Sequence, residues 1–251
     1  MYIKELFDTG SLSAQNLAAS ANRTLVVPYG VSRSNHFTLE VNSSKKNIII
    51  INSPNAMQRI STMYSFMHVI GNVQATKNVF AVILDCDSTG EGLIFQGMEG
   101  VEISASRANY QNLASANLAS VVKVITERRN TCYDHDYHDY QSYNQYAAAN
   151  GLDEIVPMFL FIDNLDVIFT NPNLEADKEE AVKNLKIILK YAASMGIVVI
   201  ASTTAGFTAD MSFLEQEMSL QVIPEASGNL VRIANADLRW ESEIVRLPST
   251  K

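Results

Sequence analysis

Apolar residues follow two kinds of pattern along the chain, and the two kinds alternate. Continuous aliphatic runs are typical of parallel strands buried on both faces, and they occur as NIIII (47–51), VFAVILDC (79–86), VPMFLFIDNLDVIF (156–169) and IVVIAST (197–203). Between them, apolar positions recur every three or four residues over 56–73 and 118–125. A third helix is predicted over 174–196, where acids come first, lysines follow and Gly196 stands at the end. Strands that alternate with helices predict an α/β fold, with a largely parallel sheet and helices on both faces.

The pattern changes toward both ends of the chain. TLVVPYGV (24–31) and HFTLEV (36–41) read as two short strands joined by a turn at 31–35, and SLQVI (219–223) and LVRIA (230–234) as edge strands. We expect an N-terminal extension over 1–23, one domain over 24–248, and a tail over 249–251.

Composition and charge exclude several classes of protein. With a formal net charge of −8 and a pI near 5.0, the chain lacks the overall basic balance that duplex binding normally uses, so no nucleic acid partner is expected. Cys86 and Cys132 form no CxxC pair and are interpreted as reduced thiols. No apolar run reaches the roughly 20 residues that span a bilayer, which predicts a soluble domain.

The segment NIIIINSPNAMQRISTMYSF (47–66) has the layout of a phosphate-binding loop, in which an apolar strand runs through a polar turn into a helix. A working loop follows G-x-x-x-x-G-K-[ST]: its glycines let backbone N–H groups approach the phosphates, its lysine contacts them, and its hydroxyl holds Mg²⁺. Here Ser53 and Gln58 stand at the glycine positions, Arg59 at the lysine and Ile60 at the hydroxyl.

What survives in this segment is a helix N-terminus. It favours an anion by roughly 0.3–1 kcal/mol, whereas a micromolar ligand needs roughly 8 kcal/mol. Taken alone, the segment is an ordinary turn between a strand and a helix. As a nucleotide site it is degenerate, and its candidate residues are Ser53, Pro54, Asn55, Ala56, Met57, Gln58, Arg59, Ile60 and Ser61.

Asp163 ends another apolar strand, which is the layout of a Walker B motif. There the aspartate orients Mg²⁺ and a following acid commonly polarises the attacking water. The next residue here is Asn164, whose neutral amide cannot act as a general base, and Asp166 would point elsewhere if the strand continued. An aspartate at a strand end often only caps the next element, so no catalytic residue is assigned beyond the Walker B-like pair.

The order of several motifs resembles the motor domain of the FtsK/SpoIIIE translocases over about 24–207. The resemblance lies in Glu127-Arg128-Arg129, a polar spacer, Tyr143-Asn144, the strand that ends at Asp163, and GIVVIASTTAGF (196–207), similar to the strand that carries the family's polar sensor. It implies a RecA-like P-loop NTPase fold, with Thr203 and Thr204 at the sensor position. The departures are consistent: glycines, lysine, hydroxyl and second acid are all replaced.

Within that family, the chain resembles the eroded, most C-terminal ATPase module of the membrane-anchored type VII secretion ATPases of firmicutes. The resemblance implies a position at the cytoplasmic face of the membrane, attached only through other parts of the parent protein. The implied partners are secreted type VII substrates and neighbouring ATPase modules, and ATP with Mg²⁺ is a ligand only if the degenerate site still binds. We expect a module without ATP hydrolysis that recognises substrates or regulates its neighbours.

Two alternatives stay open on the sequence. One is an active NTPase with a non-standard phosphate loop, in which Arg59 and Asp163 are the principal polar groups. The other is a DNA-translocating motor module, against which the acidic balance counts.

Three further groups of residues invite a functional reading. His135 and His138, with acids beside them, are read as a solvated face and not as a metal site. The methionines of the first helix, Met57, Met63 and Met67, are expected in the core, with a peptide-binding groove as the minor alternative. Arg128 and Arg129 either reach a phosphate or a neighbouring subunit, or face solvent or form ion pairs. A tyrosine stripe is expected mainly in the core, with a partner surface as the alternative, and consists of Tyr133, Tyr137, Tyr140, Tyr143 and Tyr146.

Overall fold

A computed structural model describes residues 25–32, 36–74, 80–85, 101–104, 113–170, 175–204, 206–226, 230–235 and 243–247. The predicted extension over 1–23, the tail over 249–251 and Cys86 lie outside these residues.

The described strands form one sheet of ten strands, in the order β2-β1-β10-β9-β8-β3-β7-β6-β4-β5. Every run that the sequence analysis assigned to a strand contains one. The strands are β1 (Leu25–Val31), β2 (His36–Val41), β3 (Ile48–Asn52), β4 (Phe80–Asp85), β5 (Val101–Ser104), β6 (Met158–Asp163), β7 (Ile197–Thr203), β8 (Leu220–Pro224), β9 (Leu230–Asn235) and β10 (Glu243–Arg246).

The sheet has a parallel half and an antiparallel half. Strands β8, β3, β7, β6, β4 and β5 run parallel, whereas β9, β10, β1 and β2 continue the sheet in antiparallel pairs. The prediction that β8 and β9 are edge strands is wrong, because each has a hydrogen-bonded neighbour on both sides. Strand β10, which the sequence analysis missed, pairs with β9 and β1.

The three predicted helices are present. They are α1 (Ala56–Gln74), α2 (Leu113–Tyr133) and α5 (Glu175–Tyr191), and three shorter helices are α3 (Tyr140–Asn150), α4 (Val167–Thr170) and α6 (Ser212–Glu217). A 3-10 turn over Ala193–Met195 follows α5, and Gly196 then adopts φ 70°, as its predicted terminal role requires. The apolar run over 156–169 is a strand only to Asp163; its second part turns and becomes α4.

Two hydrophobic cores lie on opposite faces of the sheet, because alternate residues of each parallel strand point to opposite sides. Ile49 and Ile51 of β3 pack with α1 on one face. Ile48 and Ile50 pack on the other face, in a core that includes side chains of α2, α3, α4 and α5. Helices on both faces leave the ends of the parallel strands as the place where polar side chains gather.

Among the described residues, no helix combines the length and the apolar character needed to cross a bilayer.

Candidate functional site: the carboxyl edge of the parallel strands

Three predicted site segments meet at the carboxyl edge of the parallel strands. Strand β7 lies between β3 and β6, with Asn52 opposite Thr203 and Ile162 opposite Ala201. The loop after β3, the Asp163–Asn164 pair after β6 and the Thr203–Thr204 pair at the end of β7 are therefore neighbours. Their common location agrees with a nucleotide site in a parallel α/β sheet.

Several amides of the loop between β3 and α1 bond to other groups of the protein. The Ser53 N–H donates to the Thr203 carbonyl at 3.0 Å, and the Asn55 N–H donates to Ser53 Oγ at 3.1 Å. The Gln58 and Arg59 N–H groups both donate to the Asn55 carbonyl at 3.1 Å, while Asn55 Oδ1 also accepts from the Gln58 N–H at 3.2 Å. Pro54 has no N–H. The amides of Ser53, Asn55, Gln58 and Arg59 are thus committed within the protein.

Side chains reinforce this closed loop. Ser53 Oγ donates to Gln58 Oε1 at 2.7 Å, and Gln58 Nε2 lies 3.4 Å from the Glu225 carbonyl after β8. Residues at both former glycine positions therefore bond to each other across the turn.

Arg59, at the position of the phosphate-loop lysine, is folded into the protein. Its side chain is buried, with the residue 3% exposed, and Nη1 donates to the Ser53 carbonyl at 2.9 Å. The Arg59 Nε is buried and has no hydrogen-bond partner among the described residues. The one cation of the loop is therefore directed at a carbonyl of that same loop.

The remaining loop residues give no substitute for the missing groups. Ile60, at the hydroxyl position, is a buried core residue, and Ser61 lies exposed on α1. Met57 is 69% exposed, so its predicted place in the core is wrong, whereas Met63 and Met67 are buried as expected. Met57 lies in the first turn of α1, outside the core in which Met63 and Met67 pack.

The Walker B-like pair is tied to β7 by a residue that sequence reasoning missed. Ser202 is fully buried, its hydroxyl donates to Asp163 Oδ1 at 2.6 Å, and its Oγ accepts from the Asn164 N–H at 2.8 Å. Asn164 has φ 52°, a left-handed conformation that asparagine tolerates better than most residues. Asp163 and Asn164 thus take part in a buried interstrand network.

Asp166 also belongs to this edge, contrary to the expectation that it would point elsewhere. That expectation assumed a continuing strand, but β6 ends at Asp163 and the chain turns, with the Leu165 N–H donating to the Ser202 carbonyl at 2.8 Å. The Asp166 carboxylate accepts the Thr204 N–H at 2.9 Å and also the Thr204 hydroxyl. The sensor-like Thr204 is held by an acid that the sequence analysis had set aside.

Arg128 lies outside this site, at the amino edge of the sheet. Its Nη1 donates to the Met195 carbonyl at 2.6 Å, just before β7 begins, and burial lowers the pKa of its guanidinium to about 10. Arg129 is more exposed, and its guanidinium lies 4.2 Å from the Tyr191 ring centroid and 5.4 Å from that of Tyr133. A hydrogen bond from Arg129 to the Tyr133 hydroxyl raises the pKa of this arginine. The fold thus separates the arginine pair from the phosphate-loop position.

The tyrosine stripe does not lie on one helix, because the chain breaks between α2 and α3. Asp136 adopts φ 62° in that break, and Asp139 caps α3 by accepting the Gln141 and Ser142 N–H groups at 3.0 Å. Tyr140 and Tyr143 are buried, as expected for core residues, whereas Tyr133 is 45% exposed, and Tyr137 and Tyr146 are half-buried.

The Tyr143-Asn144 pair of the family resemblance has a structural role here. Tyr143 donates its hydroxyl to the Asp153 carbonyl at 3.0 Å, and Asn144 forms two hydrogen bonds with the backbone of Ile155, at 2.7 and 2.9 Å. The pair fastens α3 to the segment that leads into β6.

The histidines of the same segment pack against tyrosine rings. The His135 ring centroid lies 5.3 Å from that of Tyr146, and that of His138 lies 5.6 Å from Tyr133. Within the described part of the chain, no group of three or more histidine, cysteine, aspartate or glutamate side chains is placed to hold a metal ion.

The sequence matches no protein-family model and no curated protein. The fold, however, is that of RecA-like ATPase modules, and the sequence-based prediction of a RecA-like α/β fold is confirmed. Similarity at this level of identity concerns the fold alone.

Three relatives are informative. The cytoplasmic domain of the type VII secretion ATPase EccC of Thermomonospora curvata gives a TM-score of 0.73 at 12% identity, covering 100% of this chain and 32% of that chain. ATPases 2 and 3 of EssC from Geobacillus thermodenitrificans give 0.67 at 11% identity, covering 92% and 45%. The pCW3 conjugation coupling protein TcpA, solved with ATPγS, gives 0.68 at 10% identity, covering 93% and 68%.

A second EccC structure contains ATPases 2 and 3 in complex with a signal sequence peptide. It gives a TM-score of 0.60 at 10% identity, covering 95% of this chain and 43% of that chain. The chain thus spans less than half of the EccC and EssC chains.

Proposed function

We propose that this chain is a degenerate, catalytically inactive ATPase module of a type VII secretion ATPase. The observation that carries the proposal is the closed loop after β3, in which Arg59 donates to the Ser53 carbonyl and the amides of Ser53, Asn55 and Gln58 are bonded within the protein. Reopening the loop for a phosphate would break several hydrogen bonds, each worth about 1 kcal/mol net, and would leave the Ser53 carbonyl to find another donor.

The replacement of a group needed for hydrolysis supports the same proposal. A neutral asparagine follows Asp163, so the acid that would polarise the attacking water is replaced. The Asp163 carboxylate itself accepts a hydrogen bond from the buried Ser202 hydroxyl. Mg²⁺ would have to share this carboxylate with Ser202, without the loop hydroxyl that normally helps to hold the metal ion.

We further propose that the module acts as a receptor for secreted substrates and as a regulatory platform for neighbouring ATPase modules of its parent chain, at the cytoplasmic face of the membrane. Its fold is that of modules in EccC and EssC, and an EccC structure holds a signal sequence peptide.

The nucleotide part is tested by titrating Mg-ATP into the purified chain by calorimetry, with phosphate release measured in parallel. The expected result is no saturable binding at micromolar ATP and no turnover, while an intact P-loop ATPase under the same conditions gives both. If turnover occurs, and Asp163→Ala abolishes it while the exposed-site control Asp134→Ala does not, the module is an active NTPase.

The receptor part is tested with purified secreted proteins from the same genome, immobilised and probed with the chain with and without ATP. Saturable binding that does not change with ATP is expected. Absence of binding to every secreted protein tested would contradict the receptor role. Filter binding to duplex DNA at low salt, with a steep salt dependence, would instead favour a DNA-translocating module.

A further inference from the structure

A groove of about 780 Å³ runs along α5, on the face of the sheet that α2, α3, α4 and α5 cover, and apart from the loop after β3. The residues of α5 that line it recur every three or four positions from Glu175 to Ile187, so they form one face of the helix. Outside α5, the groove is lined by Phe169 of α4 and by Asp210 in the 3-10 turn before α6.

The floor of the groove is apolar. Phe169, Val182 and Ile187 line it, and all three are half-buried. Phe213 of α6 extends the apolar surface, because its ring centroid lies 6.3 Å from that of Phe169. A contiguous apolar surface of this kind can bind apolar side chains of a partner, whereas apolar residues scattered singly on a surface do not mark a binding site.

Charges are separated along the groove. Glu175 and Glu179 lie toward the beginning of α5, and Lys183 and Lys186 lie toward its end. Lys178 Nζ and Asp210 Oδ2 form an ion pair at 3.1 Å across the groove, so these two residues neutralise each other.

Lys183 and Lys186 remain able to bind acidic groups of a partner. Lys183 contacts Glu180 at 3.1 Å, but both side chains are more than half exposed, and such pairs contribute little and exchange readily. Lys186 Nζ lies 5.0 Å from the Phe213 ring centroid, which leaves its charge at the rim of the apolar floor. The groove thus presents acids at one end and bases at the other, with apolar side chains between them.

We propose that this groove binds an amphipathic α-helix of a partner protein, antiparallel to α5. A helix favours acids in its first turn and bases in its last turn, because these charges complement its dipole. Only the antiparallel orientation places the partner's acidic start beside Lys183 and Lys186, and its basic end beside Glu175 and Glu179. Lys186 lies eleven positions after Glu175 on α5, or roughly 16 Å at 1.5 Å per residue, so a partner helix of about three turns spans the groove.

This inference rests on the receptor role proposed above and gives it a location and a ligand chemistry. The two can fail separately. Secreted proteins that still bind after the groove is altered would leave the receptor role intact and contradict the groove.

The probes are two synthetic 14-residue helices, labelled with fluorescein and held helical by the same hydrocarbon staple. Both have one leucine stripe and the same composition; one has glutamates in its first turn and lysines in its last, and the other has the reverse. Circular dichroism confirms equal helicity before fluorescence anisotropy measures the affinity of each for the full chain. We expect the acid-first peptide to bind at least tenfold more tightly.

The decisive variant exchanges the four charges of the groove: E175K, E179K, K183E and K186E. All four side chains are exposed, so no buried contact is lost. Circular dichroism checks that the variant folds, and the peptide preference should reverse. V182D should weaken both peptides. The matched control K123E alters an exposed lysine on α2, also paired with a glutamate of its own helix, and should change neither.

Equal affinity for the two peptides, no binding of either, an unchanged preference in the charge-exchanged chain, or an effect of K123E as large as that of the groove substitutions would each overturn the proposal.

Discussion

Two glycines with the same backbone conformation allow the packing at the amino edge of the sheet to be measured in isolation. Gly151 ends α3 with φ 68° and Gly196 ends the 3-10 turn before β7 with φ 70°, and each donates its N–H to a carbonyl of the preceding turn. An added Cβ at Gly151 would meet no atom within 4 Å, whereas at Gly196 it would lie 3.1 Å from two ring carbons of Tyr140. Replacing each with alanine therefore imposes the same backbone cost and differs in the steric cost.

The magnitudes follow from these contacts. A left-handed alanine costs about 1–2 kcal/mol, which is the whole effect expected for Gly151→Ala. At Gly196 an overpacking cost of about 1–3 kcal/mol is added. The Tyr140 ring cannot move aside, because it is 2% exposed and its hydroxyl donates to the Val41 carbonyl at 3.0 Å. We expect Gly196→Ala to lower the free energy of unfolding by about 2–5 kcal/mol.

Urea denaturation followed by circular dichroism measures both variants against the parent chain. The comparison requires equal m-values, since a changed m-value would indicate a change in the denatured state or in cooperativity. The double variant Gly196→Ala with Tyr140→Leu should lose less free energy of unfolding than the sum of the losses of the two single variants, because the smaller side chain relieves the contact. Equal destabilisation by Gly196→Ala and Gly151→Ala would refute the reasoning.

Three further predictions concern residues of the same region. Arg128→Ala should cost about 1.5–3 kcal/mol in urea denaturation, since it removes a charged hydrogen bond to a buried carbonyl, whereas the more exposed Arg129→Ala should cost less than about 1 kcal/mol; similar costs would contradict the assignment. Burial raises the pKa of Asp139, but hydrogen bonds from the Ser142 backbone and hydroxyl outweigh it, so the pKa is lowered below its ordinary 3.8. The stability that Asp139 contributes is therefore present above that pH and lost as the pH falls through the folded pKa. Asp139→Asn, which can still cap α3, should flatten this part of a pH–stability curve. An unchanged curve would contradict the prediction. Burial raises the pKa of the Cys132 thiol to about 11, so in a Cys86→Ser background the folded chain should react with a thiol reagent at pH 8 far more slowly than the chain in urea, and equal rates would show that Cys132 is accessible.

The buried parallel strands could be predicted from the sequence because continuous runs of aliphatic residues are typical of strands covered on both faces. A run such as the four isoleucines of β3 fits a strand covered on both faces. The four-residue strand β5 gives no such signal, and the apolar stretch after Asp163 looks continuous although the chain turns at Asn164. The tyrosines were harder to place, because the break at Asp136 and the cap at Asp139 put them on two helices.

The position of the candidate site could also be predicted, since the carboxyl ends of parallel strands meet at one edge. Its internal bonding could not. The Ser202 hydroxyl bonds to Asp163, and Asp166 to Thr204, across 39 and 38 residues of sequence. The direction of the Arg59 side chain likewise depends on a burial that no local pattern encodes. Substitutions at a motif reveal which groups are missing, whereas only the folded chain reveals what the replacements do instead.

The closed loop after β3 has a consequence for the assembly in which we place this module. A loop that Arg59 and Gln58 hold together from within needs no anion to keep its shape. On the function proposed here, this module would keep one conformation whether cellular energy supplies are high or low. Adjoining motor units that change conformation during their reaction cycle would then contact a partner of constant shape.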